Sequence, residues 1–320
     1  MSFSAIKGLD RPIEILKAYI DNSRLEAGYL FTGPEGIGKR QVALALAKRL
    51  NCLEDKADAC GHCSSCLKID SYQHPDVHVI SDDEPQIKIE VIRQLQKEMS
   101  LKAYEGRLKV FIIDNANKLT AEASNSLLKV LEEPSRGSLI ILITDKPGLL
   151  FKTVVSRCKV VKFSPLKRRD LEEILRKDYK LDAGYSHFLA YFSEGRLGRA
   201  LKLKDEDIIN KKNSLIDKFI LSSSRPVAES LASASRIDVR NSLNLLATWF
   251  RDIYIIKAGM DQGEVINSDR KQELALSASR LTFLDLDSIL VSITNAISYS
   301  EKNVNTRLLL YNLRMELWKG

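Results

Sequence analysis

Tyr29-Leu30-Phe31-Thr32-Gly33-Pro34-Glu35-Gly36-Ile37-Gly38-Lys39-Arg40 sets four β-prone residues directly before a glycine-rich turn and a lysine. Beyond it, Gln41 to Leu50 carries Ala43, Leu46, Ala47 and Leu50 at helical spacing. A strand that feeds a glycine loop and then a helix is the setting in which backbone amides and a lysine cradle phosphate. Such a unit belongs to a parallel sheet covered by helices. Four further runs extend the reading: Val77-His78-Val79-Ile80, Val110-Phe111-Ile112-Ile113, Leu139 to Ile143, and Val160-Val161-Lys162-Phe163. They are short, β-branched or aromatic, and mostly without polar alternation, which predicts strands buried on both faces. Between them, Ala121 to Glu133 reads as an amphipathic helix that Pro134 halts.

After Phe163 the pattern changes. A basic helical segment opens at Pro165, and from about Asp205 onward everything is helical, including Leu243 to Phe250 and Asn305 to Trp318, with polar loops at Ser222–Pro226 and Asp261-Gln262-Gly263. The expected organisation is an α/β domain over 1–164, a small helical domain over 165–204 and an all-helical domain over 205–320.

Composition bounds the function. A chain of 320 residues that is 44% apolar is long enough for two or three packed cores. With 28% charged residues and no apolar run near the 18 or so that a spanning helix requires, a membrane location is not expected. The opening Met1 to Pro12 lacks the apolar stretch of a signal peptide, and five cysteines then point to a reducing compartment, the cytoplasm. A formal net charge of +7 permits a nucleic-acid partner without indicating one.

Three groups of residues carry chemistry. Gly33, Gly36, Gly38 and Lys39 stand in P-loop register, against the plainer reading of an ordinary glycine turn. The motif calls for Ser or Thr after the lysine to ligate magnesium, and this chain has Arg40 there, so ATP or ADP binding is open and the placement of a magnesium ion is in doubt. Asp114, ending the third run, matches the second nucleotide motif, but hydrolysis needs a carboxylate next to it, and Asn115 cannot act as a general base. Cys52, Cys60, Cys63 and Cys66 form C-x7-C-x2-C-x2-C, spacing that lets four thiolates converge on a structural zinc ion; redox or unliganded thiols and substitution by His62 are the alternatives. A closed four-thiolate site leaves no open position for a zinc hydrolase. Cys158 stands alone and reads as packing. Arg157, in Ser156-Arg157-Cys158, is either a solvated surface residue or one that reaches a neighbouring chain's phosphates.

Taken with Asn125-Ser126-Leu127-Leu128-Lys129-Val130-Leu131-Glu132-Glu133-Pro134 and Asn303-Val304-Asn305-Thr306-Arg307-Leu308, these strings resemble AAA+ clamp-loader subunits of bacterial DNA polymerase III, in their δ′-type branch. The resemblance implies an AAA+ five-stranded sheet domain with a zinc module at 52–66, a helical lid and a helical collar. It matches Thr144 to the first sensor and Arg157 to the arginine finger that reaches ATP in an adjacent motor subunit. The second sensor's arginine position falls on Gly198. Arg40, Asn115 and Gly198 each remove a part of an ATP engine, so the implied role is a non-hydrolysing stator. Its partners would be γ/τ motor subunits and δ in a pentameric ring that loads the sliding clamp onto primed DNA, within a polymerase holoenzyme whose polymerase and ATPase activities lie elsewhere. The alternative is a γ/τ-type motor ATPase, which normally extends beyond the collar, whereas this sequence stops at Gly320. Leu243, Leu246, Phe250, Leu308, Tyr311 and Met315 are helix packing on their own terms and a collar interface by resemblance.

Overall fold

Five strands, β1 Gly28–Thr32, β2 Val77–Ile80, β3 Lys109–Ile113, β4 Ser138–Thr144 and β5 Lys159–Lys162, pair in parallel in the order β2-β3-β4-β1-β5. The computed structural model describes residues 2–54, 56–80, 85–135, 137–221, 236–260, 262–300 and 305–317. Ser222–Pro226, Asp261, Asn303-Val304 and Trp318 lie outside these.

All five runs expected as strands form them, and β1, β3 and β4 are buried along their whole length. Their alternating side chains feed two cores. On one face Leu139, Ile141 and Ile143 join Phe31 and Ile112, together with Leu16 of helix α1 (Asp10–Asp21) and Leu46 of helix α2 (Lys39–Asn51). Ile140 and Leu142 point the other way, to Leu30, Ile92 and Leu95 of helix α4 (Ile89–Ser100) and Leu127 of helix α5 (Ala121–Glu132). Helices on both faces explain why these strands read as continuous apolar runs. β5 departs from the expectation: Lys159, Val160 and Lys162 are exposed and only Val161 is buried. It pairs with β1 alone and is an edge, where charged side chains also discourage pairing with another chain.

Helix α5 starts on Thr120, whose hydroxyl accepts the Ala123 amide at 3.2 Å, and it ends at Glu132, directly before Glu133-Pro134. Helix α3 (Ser64–Asp70) follows the cysteine segment, and helix α6 (Lys152–Val155) precedes β5.

The chain divides into two compact units, one of Met1–Ile174 with Glu194–Arg199 and one of Leu175–Ser193 with Ala200–Gly320. Among its described residues the second unit holds helices and no strand, as the sequence pattern implies. Its core gathers on the helix Arg236–Lys257, with Leu243, Leu246, Trp249 and Phe250 buried. Two buried ionisable side chains in it have partners in place. Lys212 Nζ donates to both Asp269 oxygens at 2.6 and 2.7 Å, and Asp252 accepts the Ile266 and Asn267 amides at 3.1 and 2.7 Å. Leu308, Tyr311 and Met315, by contrast, are exposed on the final helix. No helix among the described residues is long and apolar enough to cross a membrane.

Candidate functional site

The four cysteine sulfurs lie within 4.8 Å of one another, with Cys60 and Cys66 4.0 Å apart. A tetrahedral zinc ion about 2.3 Å from each sulfur sets neighbouring sulfurs about 3.8 Å apart, so the donor set fits the ion. Local backbone geometry prepares the thiolates. The amides of Cys60, Cys63 and Cys66 donate to the sulfurs of Cys52, Cys60 and Cys63 at 3.4, 3.3 and 3.5 Å, and the last of these bonds also caps helix α3. At Cys63, burial opposes ionisation, but the Cys66 and Leu53 amides and the neighbouring thiols outweigh it and bring the thiol down to about 6. Cys66 is pushed up to about 12, chiefly by burial. His62 falls in a different group, 3.1 Å from Glu54 and near Cys60, and is largely exposed. Cys158 is buried in the core on the α4–α5 face, and burial raises its thiol to about 12, in keeping with packing.

The same segment ties down the start of the chain. Asp58 accepts the amides of Phe3, Ser4 and Ala59 at 3.1, 2.9 and 2.8 Å. Burial works against its charged form, yet these bonds hold its carboxyl below the usual range.

The P-loop opens onto a cavity of about 510 Å³ lined by Glu35 to Gln41, Tyr72, Asp114, Asn115, Thr144, Asp145 and Gly198. Gly33 has φ 153°, and a Cβ there would meet the Phe163 carbonyl oxygen at 2.4 Å, so no other residue fits. Lys39 is buried, its Nζ donating to the Gly33 and Pro34 carbonyls at 2.6 and 2.8 Å. Burial draws its ammonium below the usual lysine value, against the pull of Asp145, Asp114 and Glu35. Thr144 ends β4 almost fully buried. Its hydroxyl donates to Asn117 Oδ1 at 2.9 Å and accepts the Lys146 amide at 3.0 Å. Gly36, Gly38, Lys39, Asp114 and Thr144 thus line one cavity, with Gly33 at the loop's start.

The residues do not fit a magnesium ion. Arg40 holds the position of the metal-binding hydroxyl, and its guanidinium lies 3.8 Å from Asp114 and 5.3 Å from the centre of the Tyr72 ring. The other Asp114 oxygen accepts the Asn115 amide at 3.0 Å. Gly198 sits in the first turn of the helix Leu197–Asp205, where a Cβ would meet the Gly36 carbonyl oxygen at 2.6 Å. Backbone so close to backbone cannot move aside cheaply. Gly198→Arg, which places a side chain at the second-sensor position, should therefore destabilise the chain by about 1–3 kcal/mol, read as a lowered midpoint in denaturant melts. An unchanged midpoint would mean that this turn is free to shift.

Arg157 occupies the turn between α6 and β5. Its guanidinium is 2.5 Å from Glu132 Oε1 and donates to the Thr153 carbonyl at 3.0 Å, with the side chain about a third exposed. Glu132 belongs to the helix α5 string read from sequence, so two separate sequence signals meet in one ion pair. The sequence did not single out Tyr72, Asn117 or Asp145, nor the pairing of Glu132 with Arg157. Asp145 directly follows a strand that ends at the pocket and was open to discovery; Tyr72 and Asn117 carry no motif.

Residues 8–167 match the family described as DNA polymerase III, delta subunit, and residues 206–317 match DNA polymerase III, delta subunit, C terminal. DNA polymerase III subunit delta′ of Bacillus subtilis (strain 168) is 30% identical over 97% of this chain and 96% of its own length. DNA polymerase III subunit tau of Escherichia coli (strain K12) is 33% identical over 65% of this chain, which spans only 33% of that subunit. A gamma subunit-related protein of Thermotoga maritima superposes over 96% of this chain and 99% of its own with a TM-score of 0.48 at 22% identity.

Proposed function

The chain belongs to the DNA polymerase III delta-subunit family, and from that membership we propose that it is the non-hydrolysing, δ′-type stator of a clamp loader. The observation that carries this reading is the Arg40–Asp114 pair: a P-loop frame is intact while a fixed cation stands where turnover requires a metal. Asn115 supplies no general base, and the close approach of Gly198 to the loop leaves no room for a second sensor arginine.

In this reading the AAA+ domain over 1–164, the lid over 165–204 and the collar over 205–320 hold a ring of γ/τ motors and δ open for the sliding clamp and primed DNA. Arg157 works in trans. Its guanidinium leaves Glu132 for the γ-phosphate of ATP in a neighbouring motor and stabilises charge as the phosphoryl group transfers. Cys52, Cys60, Cys63 and Cys66 would hold a zinc ion whose part is to fix the fold of 52–66, since four thiolates close its coordination. Exposed Leu308, Tyr311 and Met315 supply apolar surface for the collar.

The alternative, a γ/τ-type motor ATPase, is motivated by Lys39 and Asp114 and opposed by Arg40, Asn115 and Gly198, and the match to tau is partial; turnover decides between the two. The chain with magnesium, primed DNA and clamp, but without other subunits, is expected to release no phosphate above a Lys39→Ala control. Phosphate release should begin when a motor subunit is added. Turnover by the chain alone that vanishes in the control would make it the motor.

A further inference from the structure

A second group of metal-binding side chains overlaps the four cysteines at one atom. Glu54, Cys60 and His62 each bring a ligand atom within 4.8 Å of the other two, and the Cys60 sulfur belongs to both groups. His62 Nε2 stands 3.1 Å from Glu54 Oε1, and the Cys60 thiol is within hydrogen-bond reach of Glu54. Oxygen and nitrogen ligands about 2.0–2.2 Å from a tetrahedral ion lie about 3.4 Å apart, so the His62–Glu54 separation is already close to that of a coordination shell. Gly61, with φ 78° and open space around it, bends the chain so that Cys60 and His62 serve one group. The two groups differ in exposure. Cys52 and Cys66 are buried and Cys60 half-buried, whereas the His62 side chain is 72% exposed. Charge points the same way. A divalent ion on four thiolates leaves two negative charges; Glu54 adds a third, and Lys56, 2.6 Å from the other Glu54 oxygen, returns only one. A second cation arriving from solvent would meet a net negative group.

We infer that Glu54, His62 and Cys60 form a second, solvent-open site for a borderline divalent ion such as zinc, with the Cys60 thiolate bridging it to the ion of the four cysteines. A thiolate sulfur keeps lone pairs after its first metal bond, so one cysteine can serve both ions. One carboxylate oxygen, one imidazole nitrogen and one sulfur favour zinc or cobalt over magnesium and calcium, which take oxygen donors. Three protein ligands leave the fourth tetrahedral position to water, so this ion exchanges with solvent, whereas four thiolates close the first site. Lys56 keeps the outer Glu54 oxygen. The inference rests on the proposed zinc at the four cysteines. It is distinct from a single ion in which His62 replaces a cysteine, because it requires two ions per chain.

The test uses the full, reduced chain as purified, dialysed against free zinc held at about 10 μM, which fills a site of about 1 μM dissociation constant to about nine-tenths. Elemental analysis is expected to rise from one zinc per chain to two, and excess magnesium should displace neither. One zinc per chain throughout overturns the inference and leaves the four-cysteine site standing; no zinc at all overturns both. His62→Ala and Glu54→Gln should each weaken the second ion by about tenfold or more while keeping the first. An unchanged second ion in either variant, or loss of the first ion in the His62 variant, gives these residues another role and overturns the inference. Cobalt added as the second ion to the zinc-loaded chain should show sulfur-to-metal charge-transfer absorption from Cys60. Cobalt bound without that absorption rests on Glu54 and His62 alone, which overturns the shared thiolate and the inference with it.

Discussion

Replacing Arg157 with alanine is expected to lower DNA-stimulated ATP turnover of the reassembled loader about 10³-fold at the site it faces. The magnitude follows from the proposed role: a guanidinium brought from a second chain to a transferring phosphoryl group acts only on the transition state, so its loss would fall on rate. The fold should survive. Arg157 is partly exposed, and its pair with Glu132 is a surface contact of the kind that contributes about 1 kcal/mol or less. Single-turnover phosphate release, with the melting curve of the isolated variant as control, separates the two effects. Turnover equal to that of the unaltered loader would exclude a finger role and leave Arg157 as the partner of Glu132 and Thr153 only.

The second large effect concerns metal. Cys63→Ser should abolish stoichiometric zinc in elemental analysis, because apparent binding free energies of structural zinc sites run to about 10–16 kcal/mol and rest on all four ligands together. In the proposed zinc site Cys63 would be more than one ligand in four: its sulfur also caps helix α3, and the amide that donates to it belongs to Cys66, the next of the four cysteines. The loss should spread to both sides. Asp58 sits between Cys52 and Cys60 in the chain and holds the Phe3 and Ser4 amides, so protease cleavage should appear within 52–66 and then near the N-terminus. Full zinc occupancy in the variant would contradict the ligand assignment.

Much of this was legible in the residues. Strands with two covered faces announce themselves, and β1, β3 and β4 do so because each residue of Phe111-Ile112-Ile113 or Ile140-Ile141-Leu142 meets a helix on one side or the other. β5 misled because its Val-Val pair looks the same whether a sheet continues beyond it or stops, and strand order is not written locally. The cysteines could be read because their spacing is itself the geometry of the site. What could not be read is pairing across distance. That Arg40 faces Asp114, that Tyr72 lies against Arg40, and that Glu132 takes Arg157 are consequences of the packing of separate elements, and a motif specifies which residues are present, not what they touch. Thr144 illustrates the same limit. Its place at the strand end was expected, whereas its engagement with Asn117 depends on the turn after β3.

The position of β4 between β3 and β1 has a consequence for how the chain comes into being. β1 leaves the ribosome early, but both of its neighbours in the sheet, β4 and β5, are made only after β2 and β3. At about 5–20 residues per second, Gly28 waits on the order of ten seconds for Ile140. Through that interval Tyr29-Leu30-Phe31 has no strand on either side, and two open edges on an apolar segment invite pairing with any other chain nearby. Closing so long a loop is also a slow step in folding from the denatured state. The segment that carries the P-loop is therefore the one whose nascent form is most exposed to misassembly, and the one a holdase would most usefully cover during synthesis.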